Sequence, residues 1–278
     1  MHMPAQSLHK PIPKPKLGQN FLVDDSARHA IADAMGNLSQ RTVIEIGPGH
    51  GAITDILAGR ARRLIALELD PSLAAELRFR FRDQPQVEII ETDVLKADVP
   101  ALIPAGETAD VIGNLPYYIT SDILLQLFAA GSTGHIARAV LMMQREVAER
   151  VSAAPGVRDY GLLSATAQMN AQVANLFTLP PTAFSPPPDV FSTVLRLEFA
   201  PRFTELGVDP AGFDAFLRQC FSQKRKTLRN NLRAAGHTPE VLAEAWPASI
   251  PEQARAEGLA LEPMAEFYRA LKKLEPQP

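Results

Sequence analysis

Four apolar runs, at residues 42–46, 64–67, 87–90 and 109–113, each lead into a residue able to bind a ligand. Helix-compatible segments separate them. Buried strands that alternate with helices specify a mainly parallel sheet covered on both faces. Such sheets take their ligands beyond the carboxyl ends of the strands. Here those ends carry, in order, Gly47-Pro48-Gly49-His50-Gly51, then Glu68, then Asp93, then Asn114-Leu115-Pro116-Tyr117. A single glycine turn or strand-end acid is weak evidence, because tight turns and helix caps use the same residues. Four in succession along one alternating chain point to an α/β fold with a ligand site on one edge of its sheet.

Each strand end suits a different part of a ligand. Glycines after the run at 42–46 let a ligand approach the backbone, and the following helix, through about residue 58, adds free N–H donors. Glu68 lies 21 residues beyond Gly47, near the spacing at which a carboxylate meets ribose hydroxyls. Asp93 can accept from an adenine amine. Asn114 offers an amide oxygen as acceptor. Pro116 biases Leu115 toward an extended conformation that turns its carbonyl outward, and Tyr117 offers a flat ring for a base. The glycine spacing is Gly-x-Gly-x-Gly, not the Gly-x-Gly-x-x-Gly of pyrophosphate cradles, and no Lys-Ser/Thr pair follows it. A ligand with adenine and ribose but no phosphate fits better, and S-adenosylmethionine is such a ligand.

Composition removes several classes. Hydrophobic residues make up 46% and charged residues 21%, a globular profile without a membrane-length apolar run. One cysteine, Cys220, excludes an internal disulfide framework and suits a reducing cytoplasm. Cys220 recurs with Phe213, Phe216, Leu217 and Phe221 on one helical face, so it reads as core and not as a nucleophile. The six histidines are scattered, so no metal site is expected. The net charge of −3 means that nucleic-acid binding must come from local patches.

Residues 1–18 form a proline- and lysine-rich arm that reads as extended and able to face RNA. Residues 19–200 read as the catalytic domain and 201–278 as a helical domain, with the linker at 201–210. From Asp214 through Gly236 there are six basic residues, Arg218, Lys224, Arg225, Lys226, Arg229 and Arg233, and one acid, a local charge of +5. On one continuous helix Lys224 would fall on the apolar face, so a break is expected near Gln223. The patch is expected to contact RNA phosphates.

The ordered set of motifs resembles the ribosomal RNA adenine dimethyltransferase family, most of all its small-subunit (KsgA) branch. The matching stretches are Gln19-Asn20-Phe21-Leu22, the run from Glu45 to Thr54, Glu68, Asp93 and Asn114-Leu115-Pro116-Tyr117. Further matches are Met143-Gln144-Arg145-Glu146, Tyr160-Gly161-Leu162-Leu163-Ser164, the proline-rich stretch around Phe184, and Arg225-Lys226-Thr227-Leu228-Arg229-Asn230-Asn231. The resemblance implies a Rossmann-like class I S-adenosylmethionine-dependent methyltransferase with a small all-α C-terminal domain. It implies a cofactor site lined by Asn20, Leu22, Glu45, Gly47, Gly49, Gly51, Glu68, Asp93 and Asn114. It implies N6,N6-dimethylation of two adjacent adenosines near the 3′ end of 16S rRNA in a nearly mature small subunit, by a monomer. The expected chemistry has Asn114 and the Leu115 carbonyl accept from the adenine amine while Tyr117 and Phe184 clamp the base. The alternatives are a macrolide-resistance type of large-subunit methyltransferase, and a ribosome-assembly or transcription factor on the same fold. A nicotinamide oxidoreductase is disfavoured by the glycine spacing.

Overall fold

The computed structural model describes residues 19–274. The N-terminal arm expected at residues 1–18 lies outside the described residues. The chain opens with β1 (Phe21–Leu22) and α1 (Asp25–Asp33), the latter capped by Asp24, whose carboxylate accepts from the Ala27 N–H. Then follow β2 (Thr42–Ile46), α2 (Thr54–Ala58), β3 (Arg63–Glu68), α3 (Pro71–Arg80), β4 (Val87–Glu91), β5 (Ala109–Asn114) and α4 (Thr120–Ser132). The four expected strands are thus present with bounds within a residue of those read from the sequence. The catalytic part continues through β6 (Ile136–Gln144), α5 (Arg145–Ser152), α6 (Leu162–Asn170), β7 (Ala171–Leu179), β8 (Phe184–Ser185) and β9 (Ser192–Phe199). The remaining helices are α7 (Phe203–Leu206), α8 (Pro210–Cys220), α9 (Leu228–Ala234), α10 (Pro239–Ala245) and α11 (Leu261–Leu274).

Seven strands form one sheet in the order β4-β3-β2-β5-β6-β9-β7. The pairs from β4 through β6 are parallel, and β9 runs antiparallel to both β6 and β7. The chain builds outward from β2 to β4, then returns to add β5 on the other side of β2. That reversal opens a crevice at the carboxyl ends of β2 and β5. Gly113 lets the two strands close up there, because a Cβ at that position would stand 2.7 Å from the Ile46 carbonyl oxygen.

Alternation along the strands supplies two apolar layers. Ile44, Ile65, Val111, Leu141 and Leu195 pack with α4, α5 and α6. Their neighbours Val43, Leu64, Ile112, Val140 and Val194 pack with α1, α2 and α3. Asp110 is the acid in the otherwise apolar β5, and Arg41 neutralises it with two hydrogen bonds of 3.0 and 2.7 Å. A third cluster holds the C-terminal helices together around Phe213, Phe216, Cys220 and Phe267. It also draws in Tyr160, Ala165 and Met169, so the helical core begins on the far side of the boundary expected at residue 200. No helix among the described residues is long and apolar enough to cross a membrane.

Candidate active site

The crevice between β2 and β5 is the mouth of a cleft that unites all four strand ends. Gln19, Asn20, Leu22, Glu45, Gly47, Gly49, Glu68, Asp93, Asn114, Leu115, Pro116 and Tyr117 all line it. The glycine loop folds back on β3. Gly47 and Gly49 adopt φ of 66° and 60°, a region glycine enters without a Cβ clash. The Gly47 N–H donates to the Leu67 carbonyl at 3.0 Å. The Gly49 N–H donates to Glu68 Oε2 at 3.0 Å, and the Asp70 N–H donates to Glu68 Oε1 at 2.9 Å. Glu68 is thereby held by two backbone donors, with lone pairs left on both oxygens for a diol.

Gly51 differs from its two neighbours. It does not line the cleft but makes the turn itself, with φ of 83° and its N–H on the Pro48 carbonyl at 2.9 Å. A Cβ there would meet Leu77 Cδ2 and Arg80 Nη1 at 2.9 Å each. Gly51 forms the turn and packs on α3.

Glu45 is 2% exposed and faces the α1–α3 layer beside the loop. Burial pushes its carboxyl up to about 8; the Thr54 hydroxyl works against this, and the negative charges of Asp55 and Glu68 add to it. Its Oε2 has no hydrogen-bond partner among the described residues. Asp93 uses Oδ1 to cap the short turn after β4, accepting from the Leu95 N–H at 3.0 Å. It still lines the cleft.

Asn114 ends β5 with its amide oriented from far away in the chain. Its Nδ2 donates to the Asn20 carbonyl at 3.0 Å. With the NH₂ end engaged, Oδ1 is the end available as an acceptor. The Leu115 N–H donates to the Met142 carbonyl of β6 at 2.9 Å, and the Leu115 side chain is buried. The Pro116 carbonyl is already taken by the Thr120 hydroxyl at 2.9 Å. The Tyr117 hydroxyl lies 2.8 Å from Ser192 Oγ, which anchors a half-buried ring at the cleft wall. Burial raises the Tyr117 phenol above its ordinary range, offset in part by that hydrogen bond.

Phe184 lies behind the cleft wall. β8 pairs antiparallel with β1, Leu22 opposite Phe184, and this pairing carries the ring into the core with Leu22, Ala183 and Val194. It is 3% exposed and is not among the cleft-lining residues. A second tyrosine of the cleft, Tyr118, is 63% exposed. Its place directly after Tyr117 was the signal for it. The rim also holds Phe21 and His50, whose rings pack 4.5 Å apart.

In the helical part, residues 221–227 interrupt α8 and α9, as the position of Lys224 required. Asn231 fixes this interruption by donating to the carbonyls of Cys220 at 2.6 Å and Gln223 at 3.2 Å. The basic residues then divide. Arg225 and Lys226 are exposed on the turn, with no ion-pair partner among the described residues. Arg218 is paired to Asp214 at 2.8 Å, and Lys224 donates to the Arg158 carbonyl at 2.9 Å. Arg233 is exposed and its charge lowers the Glu240 carboxyl, behind the backbone and Thr238 contacts of that acid. Arg229 lies half-buried with its guanidinium 4.7 Å from the Trp246 ring centroid. Among the described residues no cluster of His, Cys, Asp or Glu converges as a metal requires.

A seven-stranded α/β sheet with a glycine loop, a strand-end acid and an Asn-Leu-Pro-Tyr loop on its carboxyl edge defines a class I methyltransferase. A sequence model described as ribosomal RNA adenine dimethylase matches residues 13–273, and the chain belongs to that family. It is 58% identical to the ribosomal RNA small subunit methyltransferase A of Acidobacterium capsulatum, covering 93% of this chain and 91% of that protein. The protein of the same name from Koribacter versatilis is 50% identical, covering 98% and 99%. A dimethyladenosine transferase from Plasmodium falciparum superposes with a TM-score of 0.76 at 23% identity, over 91% of this chain and 98% of that one. The 23S rRNA methyltransferase ErmE superposes with a TM-score of 0.67 at 25% identity, over 91% and 100%. This chain is therefore an rRNA adenine methyltransferase, an enzyme of a class that uses S-adenosylmethionine.

Proposed function

We propose that this enzyme dimethylates the N6 amines of two adjacent adenosines near the 3′ end of 16S rRNA, within the small ribosomal subunit. The observation that carries the chemistry is the Asn114 amide, held by the Asn20 carbonyl so that its oxygen is left to accept. Identity of 58% to a small-subunit methyltransferase, against 25% to a large-subunit one, supports the small subunit as substrate.

The residues present fit the cofactor. The unpartnered Glu45 Oε2 suits an ammonium donor, Glu68 suits a ribose diol, and Asp93 suits an exocyclic amine. Asn20, Leu22, Gly47 and Gly49 would complete its walls. S-adenosylmethionine supplies, when bound, a methyl group already activated on a sulfonium.

The protein's remaining task is to orient a weak nucleophile. An adenine N6 lone pair conjugates with the ring. Asn114 Oδ1 and the Leu115 carbonyl accept from the amine and hold the lone pair out of conjugation. They also stabilise the positive charge that grows on nitrogen. Tyr117, fixed through Ser192, supports the flat face of the extruded base. Once the methylated nitrogen has shed one proton to solvent, one N–H remains, so one acceptor contact is released before the second transfer. Arg225 and Lys226 contact rRNA phosphates from the helical part, residues 201–278, which we take as the RNA-facing domain.

The test is to incubate the enzyme and labelled S-adenosylmethionine with small subunits from a strain lacking the modification, large subunits in parallel, and to analyse nucleosides. Dimethyladenosine in the small subunit alone is expected. Label in the large subunit would replace this reading with the resistance-type activity. Tight binding without label would replace it with an assembly role.

A further inference from the structure

Phe191 is a large aromatic left 44% exposed beside the catalytic loop. It directly precedes Ser192, whose hydroxyl anchors Tyr117 at 2.8 Å. The guanidinium carbon of Arg145 lies 5.3 Å from the Phe191 ring centroid, and the Arg145 N–H donates to the Phe191 carbonyl at 3.0 Å. Arg145 is the first residue of α5, immediately after β6. β6 runs parallel to β5 with Met142 opposite Asn114, and Gln144 is opposite Ser192 of β9. The Arg145–Phe191 pair therefore stands on the same carboxyl edge of the sheet as Asn114, one strand away. The Arg145 side chain also forms an ion pair with Glu149 at 3.6 Å. Both of those side chains are about half exposed, so solvent screens that pair and leaves the guanidinium available.

A ring and a stacked guanidinium form a flat, cationic surface. Such a surface takes a nucleobase by stacking and its phosphate by charge. An adenosine extruded into the cleft leaves its neighbour in the strand unstacked on one side. Resting on the activity proposed above, we propose that Arg145 and Phe191 form a platform for the nucleobase adjacent to the target adenosine. The platform replaces the stacking lost on extrusion and fixes which of two neighbouring adenosines enters the cleft.

The test uses the full chain and small subunits lacking the modification. KM for the subunit and kcat are measured separately, and each of the two adenosines is scored by mass spectrometry of the excised fragment. Phe191→Ala is expected to raise KM for the subunit roughly tenfold, the loss of one aromatic stack, and to change the ratio of methylation at the two positions. Phe191→Tyr, which keeps the ring, is expected to restore both. Calorimetric affinity for S-adenosylmethionine is expected to stay at the wild-type value in each variant. Wild-type KM and wild-type position ratio in Phe191→Ala would overturn the platform alone. A fall in kcat at unchanged KM would also overturn it, because Phe191 would then act by supporting Ser192 and Tyr117. Failure of the wild-type enzyme to label small subunits would overturn both this platform and the activity on which it rests.

Discussion

The Asn114 side chain donates through Nδ2 to the Asn20 carbonyl at 3.0 Å, a bond that spans 94 residues of sequence. It gives the amide one orientation and closes the N-terminal segment over the cleft. Asn114→Ala removes the acceptor and is expected to lower kcat by roughly a hundredfold or more, in the range seen when a preorganised polar group is deleted. Asn114→Asp keeps an acceptor but cannot donate to Asn20, and the two facing oxygens repel. It is expected to lose both turnover and closure of residues 19–22, read as faster amide exchange there. Wild-type turnover in Asn114→Ala would remove Asn114 from the chemistry.

The Glu45 carboxyl titrates at about 8 in the folded protein, against 4.5 as the reference value. Between those values the folded state binds a proton that the unfolded state has released. Stability of the ligand-free protein therefore falls as pH rises from about 5 to about 8. Glu45→Gln is expected to flatten this part of a melting-temperature profile and to be the more stable form above pH 8. An unchanged slope in the variant would assign the dependence elsewhere. A bound ammonium would pull the Glu45 proton off, so S-adenosylmethionine binding at pH 7 is expected to release protons in the wild type and not in Glu45→Gln. Calorimetry in two buffers of different ionisation enthalpy reads this directly.

Tyr117 contributes a ring and an anchor, and the two separate by mutation. Tyr117→Phe loses the Ser192 hydrogen bond but keeps the ring, and is expected to lower kcat/KM about fivefold, the worth of about 1 kcal/mol. Tyr117→Ala loses the stack as well and is expected to fall by a further factor of ten or so. Equal losses in both variants would mean that the ring supports no base.

The basic residues of the helical part are not equivalent. Neutralising exposed Arg225 and Lys226 together is expected to reduce the slope of log K against log salt by roughly 0.7–0.9 for each phosphate that the protein no longer neutralises. Arg229→Ala is expected to act on stability instead, since the Arg229 guanidinium lies over the Trp246 ring. That cation–π contact contributes about 0.5–1 kcal/mol. A melting temperature unchanged in Arg229→Ala, with a flattened salt slope, would return Arg229 to the RNA surface.

Gly113 is a glycine by packing, not by backbone angle. Gly113→Ala would drive a Cβ to 2.7 Å from the Ile46 carbonyl oxygen, so β2 and β5 would have to move apart. A loss of about 1–3 kcal/mol in stability is expected, with the crevice between β2 and β5 widened. A variant as stable as the wild type, by denaturant titration, would mean that the strands relax there freely.

The strands β2 to β5 and the residues at their ends were legible from sequence because both are local properties. A buried parallel strand is a short apolar run, and its ligand-binding residue follows within a few positions of the same segment. The break between α8 and α9 was legible for a related reason: a lysine cannot occupy the apolar face of one continuous helix. Pairings between distant segments were not legible, because periodicity reports which face is buried and not what covers it. Only the tertiary structure set the Asn20 carbonyl against Asn114, and only pairing of β8 with β1 turned Phe184 inward. Only the fold laid Arg229 on Trp246, moved Gly51 off the cleft, and left Phe191 and Arg145 open beside Tyr117. The sequence by itself determined which chemistry stands at each strand end. The packing of segments far apart in the chain decided which of those groups remain free to meet a substrate.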